Sequence, residues 1–265
     1  MFGWFRKRRR RRLLARPFPE AWERILEEDF AIWPELSESE RSKLKQSIQI
    51  FAAEKNWEGC GGLQLTAAMR VIIAAQACLL GLGLDEMYFD HVLSILVYPD
   101  AYLVPDVQNP VNEIQTEGGS PRMGEAWWQG PVILSWKHSL AGAREETNGE
   151  NLVLHEFAHQ LDMLNGRTVD GTPPLEDQAQ LDRWVEVMTE GYQQLIRDCR
   201  RGHPSVMSCY GTTNVGEFFA VATESFFSRP LKFRSEFPEV YEVLAEFYRQ
   251  DPARRRLQQG FEKTV

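Results

Sequence analysis

His155 and His159 stand four residues apart in the stretch NLVLHEFAHQLDML (Asn151–Leu164), and Glu156 directly follows the first of them. Four residues is one helical turn, so a helix through this stretch puts both imidazoles on one face. Leu154, Phe157, Ala158, Leu161 and Leu164 form an apolar stripe along the same helix, so the segment is expected to be a buried scaffold. Two readings fit. One is an amphipathic helix that carries incidental polar groups. The other is the floor of a metal site: two imidazoles at about 2.0–2.1 Å from one ion, and a carboxylate on the neighbouring face within reach of a water on that ion. H-E-x-x-H in a core-facing helix supplies two ligands and a general base, and the apolar stripe serves this reading as well as the first.

A catalytic zinc takes three protein ligands and leaves one position open. A third histidine six residues after the second would complete one known pattern, but that position is Asn165. His203 lies in RGHPS and reads as part of a solvated turn. Four glutamates remain: Glu186 and Glu190 on one expected helix, Glu217 and Glu224 on a later one. Glu217 and Glu224 share a helix face but stand about 10 Å apart along the axis, so only one can ligate the ion. Glu217 also has a purely structural role open to it. In NVGE, Asn214 can cap a helix and Glu217 can close the capping box. On spacing, Glu217 stands ahead of Glu186, and the choice stays open. Asp162, one turn beyond His159, is a candidate to orient an imidazole or a plain surface aspartate.

The rest of the chain frames this segment. Two helices are expected over residues 18–56, and a buried helix over Thr66–Leu82. Short strands follow at Ser94–Pro99, Ala101–Val104 and Pro131–Trp136. A long irregular stretch, Pro105–Gly130, is of the kind that is often functional or mobile. Further helices are expected over Leu181–Arg197, Glu217–Phe227 and Pro238–Gln250. This is a mainly helical α+β fold, with a small strand region packed on the H-E-x-x-H helix. It divides into a basic tail (1–16), a helical N-terminal part (17–90) and a catalytic part (91–265), with 17–265 packed as one unit.

Of the net charge of −8, residues 1–16 contribute eight positive charges, which leaves −16 on the remainder. So acidic a body argues against direct nucleic-acid binding. The basic start lacks the apolar run of an export signal. It reads as a mobile solvated tail, or as a weak anchor to anionic lipid helped by Phe2, Trp4 and Phe5. No segment is long and apolar enough to span a bilayer. Cys60, Cys78, Cys199 and Cys209 form no C-x-x-C pair. They suggest neither a disulfide framework nor a zinc knuckle, and a reducing, cytoplasmic compartment is expected.

HEFAHQLD followed by CYGTTNVGEFFAVATESFF resembles the Mlc titration factor A family of zinc peptidases, which are gluzincin-type and similar to the catalytic domain of the toxin lethal factor. The Arg-rich start before LLARPFP, together with WEGCGGLQLT, AAQACLL and GPVILSW, extends the resemblance over nearly the whole chain. The resemblance implies one Zn²⁺ on His155, His159 and Glu217, with Glu156 as general base and Tyr210 as a catalytic tyrosine. Asp162 and Glu224 are candidates to support the ligands from behind. It implies an aminopeptidase-like metallopeptidase acting on peptide or protein substrates. It also implies a link to glucose uptake through binding of the repressor Mlc, and a substrate backbone paired along the strand Val132–Trp136. The alternative is a non-catalytic protein that sequesters a repressor and carries a structural metal.

Overall fold

The structure is a computed structural model that describes residues 2–85, 87–100, 102–103, 121–122, 124–125, 130–166, 168–258 and 260. Its elements run α1 (Phe2–Leu14), α2 (Glu20–Asp29), α3 (Glu38–Glu54), β1 (Asn56–Gly59), α4 (Ala67–Leu80) and β2 (Ser94–Tyr98). The short strands β3 (Tyr102–Leu103), β4 (Pro121–Arg122) and β5 (Gly124–Glu125) precede β6 (Val132–Ser135), α5 (Trp136–Ala143) and α6 (Leu152–Asp162). The chain closes with α7 (Gln178–Arg201), α8 (Val215–Ser228), α9 (Pro230–Glu236), α10 (Pro238–Tyr248) and α11 (Pro252–Gln258). This is a mainly helical α+β fold, as expected. Most of Pro105–Gly130 lies outside the described residues.

Local chemistry sets where the helices begin. Ser37 caps α3 and, with Glu40, closes a full capping box. Thr66, Asn151, Asp177 and Asn214 each accept a backbone N–H at the start of α4, α6, α7 and α8. Each of these side chains satisfies a donor that the first helical turn leaves orphaned.

α4 is apolar nearly all round and buried from Val71 to Leu80, as befits a central helix. Its one polar core residue, Gln76, donates through Nε2 to Ile72 O and Ser139 O, and its buried Oε1 has no hydrogen-bond partner among the described residues. α2, α3, α5 and α6 pack around α4, and α6 in turn packs against α8. Phe51, Phe89 and Phe157 interlock between α3 and α6, with the Phe89 and Phe157 rings 4.8 Å apart edge to face. Buried side chains from Leu26 to Ala253 form one connected core.

The sheet runs β1-β2-β6-β5, with β1, β2 and β6 parallel and β5 antiparallel on β6. This corrects one expectation. Val132–Ser135 is not a free edge that could take a substrate backbone, because β2 pairs one side and β5 the other. The chain folds back through 124–125 and occupies that edge, so among the described residues β5 is the outer strand.

Two other expectations differ from the structure. The basic start, expected as a mobile extension, is helical over Phe2–Leu14 and packs on α3. Arg10 provides the reason. Its guanidinium is buried, lies 2.6 Å from Glu54 Oε2, pairs with Asp90, and stacks over the Tyr88 ring. Cys199 and Cys209, whose spacing suggested no disulfide framework, form a disulfide that ties the last turn of α7 to the 3-10 turn Cys209–Thr212. The chain reverses at Gly202, whose φ of +66° suits glycine, and this brings the two cysteines together. Cys60 and the buried Cys78 are free.

Candidate metal centre

α6 and α8 cross with their polar residues facing each other. His155 Nε2 and His159 Nε2 are 3.2 Å apart. Glu217 Oε2, from the first turn of α8, lies 3.0 Å from the former and 3.4 Å from the latter. Among the described residues, His155, His159 and Glu217 are the one group of this kind, with all three donor atoms within 4.8 Å of one another. Glu186 and Glu190 are exposed on α7 and lie outside this group, and His203 is exposed beside Asp198.

The donor atoms fit a cation. Glu217 Oε2 is buried and close to two nitrogens, yet makes no well-directed hydrogen bond with either. His155 Nδ1 is engaged by Glu224 Oε1 at 2.7 Å. With the proton on Nδ1 and shared with that carboxylate, the lone pair of Nε2 points at the cluster. Two imidazole nitrogens and a carboxylate oxygen thus converge, and once His155 gives up its Nε2 proton a divalent ion would satisfy all three.

Glu224 is buried, and it also accepts the backbone N–H of Asn151 through Oε2. Asn151 in turn caps α6, accepting from Leu154 N at 3.0 Å. One carboxylate on α8 therefore fixes both the start of α6 and the ring of His155. The role of Asn151 was missed in the sequence, where an asparagine before an apolar run signals a cap and nothing more.

Asn214 accepts from Glu217 N at 2.9 Å, so the cap of α8 is present. The carboxylate of Glu217 turns toward the histidines rather than back to the cap, and the box is left half made.

Asp162 does not reach an imidazole. It is fully buried and accepts from Gly171 N at 2.7 Å and Thr172 N at 2.9 Å. His159 Nδ1 has no hydrogen-bond partner among the described residues. Asp162 instead pins the turn 168–172 against the start of α8. Gly171, at φ +76°, lies so close to Val215 that a Cβ there would come within 2.5 Å of Val215 O. The indole of Trp184 donates to Gly171 O from the other side. Burial pushes the Asp162 carboxyl up to about 6, against the pull of the two amide donors.

Glu156 is buried beside His155 on α6. Tyr210 sits on the disulfide-tied turn Cys209–Thr212, exposed, with its ring 5.9 Å from that of His155. All seven residues singled out in the sequence are thus placed. Three converge as donors. Glu156, Glu224 and Tyr210 adjoin His155. Asp162 serves the neighbouring turn.

Electrostatics without an ion follow from this crowding. Burial works against a charged His155, but Glu217 and Glu224 outweigh it and hold the imidazole protonated well above its usual range. Burial likewise works against the Glu217 carboxylate, but His155 and His159 outweigh it and pull the group down to about 2. Glu217 is therefore ionised at any ordinary pH, while His155 must lose a proton before it can ligate. A metal thus competes with the His155 proton, and that competition relaxes as pH rises. We expect metal affinity to increase with pH to well above 6.5, with about one proton released per ion bound. Calorimetry in buffers of different ionisation enthalpy measures the release. An affinity that does not change with pH would contradict it.

Residues 4–249 match the sequence pattern of the family described as glucose-regulated metallo-peptidase M90. An uncharacterized protein of Synechocystis sp. is 37% identical over 92% of this chain and 89% of its own length. Proteins named Mlc titration factor A are also similar. The one from Klebsiella pneumoniae is 32% identical over 91% of this chain and 90% of its own length. The one from Yersinia pestis is 33% identical over 83% and 81%. The fold and the donor set define a metallopeptidase-like chain. It belongs to the glucose-regulated metallo-peptidase M90 family.

Proposed function

We propose that this protein is a zinc-dependent peptidase whose ion is held by His155, His159 and Glu217. The convergence of those three donor atoms, with Glu156 beside them on α6, carries the reading. When bound, the ion supplies a Lewis acid that makes a water acidic near neutral pH and polarises the scissile carbonyl. Glu156 takes the proton from the attacking water and delivers it to the leaving amine. The Tyr210 hydroxyl donates to the carbonyl oxygen as negative charge develops there. Glu224 holds the Nδ1 proton of His155 and keeps that ring aimed.

The action is aminopeptidase-like in this reading. An acidic body favours a substrate with a free, positively charged amino terminus.

A second reading has support in the names of relatives. Proteins called Mlc titration factor A cover nearly the same length, so binding of an Mlc-type repressor is a second role for this chain. That role does not replace catalysis, because a purely structural zinc closes its shell with a fourth protein ligand. Among the described residues the group has three, and Glu156 follows His155 on the same helix.

For the compartment, the cytoplasm is the proposal. Among the described residues no helix is long and apolar enough to cross a membrane, whereas the Cys199–Cys209 disulfide weighs against a reducing environment. Thiol titration of protein taken directly from cells decides this point.

The function itself is tested with the purified full chain. Its metal is quantified, and cleavage of amino-acyl chromogenic substrates is followed before chelation, after chelation, and after zinc is restored. Activity should vanish and return, and N-acetylated substrates should be poor. Activity indifferent to chelation would overturn the reading.

A further inference from the structure

α1 carries seven cationic side chains and no acidic one, and its two faces differ. The inner face is committed to the protein body. Arg10 is buried against Glu54 and Asp90, Arg6 lies 2.8 Å from Asp90, and Arg9 donates to Ala53 O. The outer face is Trp4, Arg8, Arg11, Arg12 and Ala15, spaced at i, i+4, i+7, i+8 and i+11, and these line a shallow groove of about 340 Å³. All five are exposed. No ion pair engages Arg8, Arg11 or Arg12 among the described residues, and the Arg8 guanidinium stacks over the Trp4 ring at 5.4 Å.

Apolar groups border this cationic stripe. Trp4 is 56% exposed and Phe5 60%. Phe5 also lines a second groove of about 510 Å³ on the inner side of α1, with Arg6, Arg9, Glu54, Asp90 and Leu93. Two large exposed aromatic side chains beside a run of arginines suit the headgroup boundary of a bilayer.

We propose that the outer face of α1 docks the protein on an anionic lipid surface. Arg8, Arg11 and Arg12 pair with headgroup phosphates, while Trp4 and Phe5 enter the boundary between headgroups and acyl chains. Charge complementarity fixes the orientation. The remainder of the chain carries −16, so it is repelled by the same surface and faces away from it. The clamp at Arg10 makes α1 a docked helix rather than a loose tether, so the body is held at a set distance from the lipid. Nucleic acid is the poorer partner, because duplex phosphates would use the arginines and leave Trp4 and Phe5 unserved.

The test is co-sedimentation of the full chain with phosphatidylcholine vesicles, with and without phosphatidylglycerol, at low and high salt. Wild type should partition onto the phosphatidylglycerol vesicles at low salt, be released by high salt, and ignore pure phosphatidylcholine. Arg8→Gln/Arg11→Gln/Arg12→Gln should weaken partitioning on the order of 100-fold, about fivefold for each charge lost. Trp4→Ser/Phe5→Ser should weaken it while leaving the salt dependence in place. These side chains are exposed, so unchanged thermal melts are expected and confirm that both variants fold. Three results would overturn the proposal: equal binding to neutral vesicles, no binding at low salt, or tighter binding to duplex DNA at matched phosphate concentration.

Discussion

Replacing Glu156 with glutamine is expected to leave the metal in place and to lower kcat/KM by about 10²–10⁴-fold, the usual worth of a positioned proton-transfer group. The argument rests on position. Glu156 is buried beside His155 on α6, one residue from a proposed ligand and outside the converging set of donors. The amide keeps the size and most of the hydrogen bonding of the carboxylate, so the helix and both imidazoles should stay where they are. What the amide cannot do is accept a proton. Zinc content near that of wild type, together with a collapse in turnover, would separate base from ligand. Undiminished cleavage by Glu156→Gln would remove the proposed base. Lost zinc would make Glu156 part of the metal's coordination instead.

How much of this site the sequence disclosed depends on how local each part is. His155, Glu156 and His159 lie within one turn and a half of a single helix, so spacing alone groups them. Glu217 arrives from another helix, and its own surroundings are explained well enough by the cap at Asn214. Periodicity could exclude a joint role for Glu217 and Glu224, but it could not bring α8 to α6, and only the resemblance did so. Asp162 shows the same limit from the other side. Its position one turn past His159 suggested an imidazole partner. Its oxygens are taken by Gly171 and Thr172, nine and ten residues onward, across a turn whose path no helical rule describes. The arginine run was legible as charge, but its order depends on two acidic residues 44 and 80 positions beyond Arg10. The expected substrate edge failed for a similar reason. β5 comes from an irregular stretch with no strand signal, and it occupies the side of β6 that alternation had left open.

Glu217→Ala carries the other large expected effect, and it is best read against two companions. Glu217 Oε2 is one of three donor atoms in the cluster, and among the described residues no other carboxylate joins that group. Its removal leaves two imidazoles, which is too few for a stable catalytic zinc site. Glu224 touches His155 Nδ1 rather than the cluster's centre, so Glu224→Ala should retain all three ligands and weaken metal binding about 10–100-fold. Glu186 is exposed on α7, away from the site, and Glu186→Ala should bind metal as wild type does. The expected order of affinity is therefore wild type equal to Glu186→Ala, then Glu224→Ala, then Glu217→Ala, whose loss should exceed about 100-fold. Metal that binds only the folded state raises the melting temperature, so the zinc-induced rise in Tm reports the same order without any assay of cleavage. A melting temperature that rises with zinc in Glu217→Ala as it does in wild type would show that the ion is held elsewhere. A rise abolished in Glu186→Ala would move the third ligand onto α7. A rise abolished in Glu224→Ala and kept in Glu217→Ala would exchange the roles of the two glutamates on α8, against the contacts that set Glu217 at the two Nε2 atoms and Glu224 at His155 Nδ1.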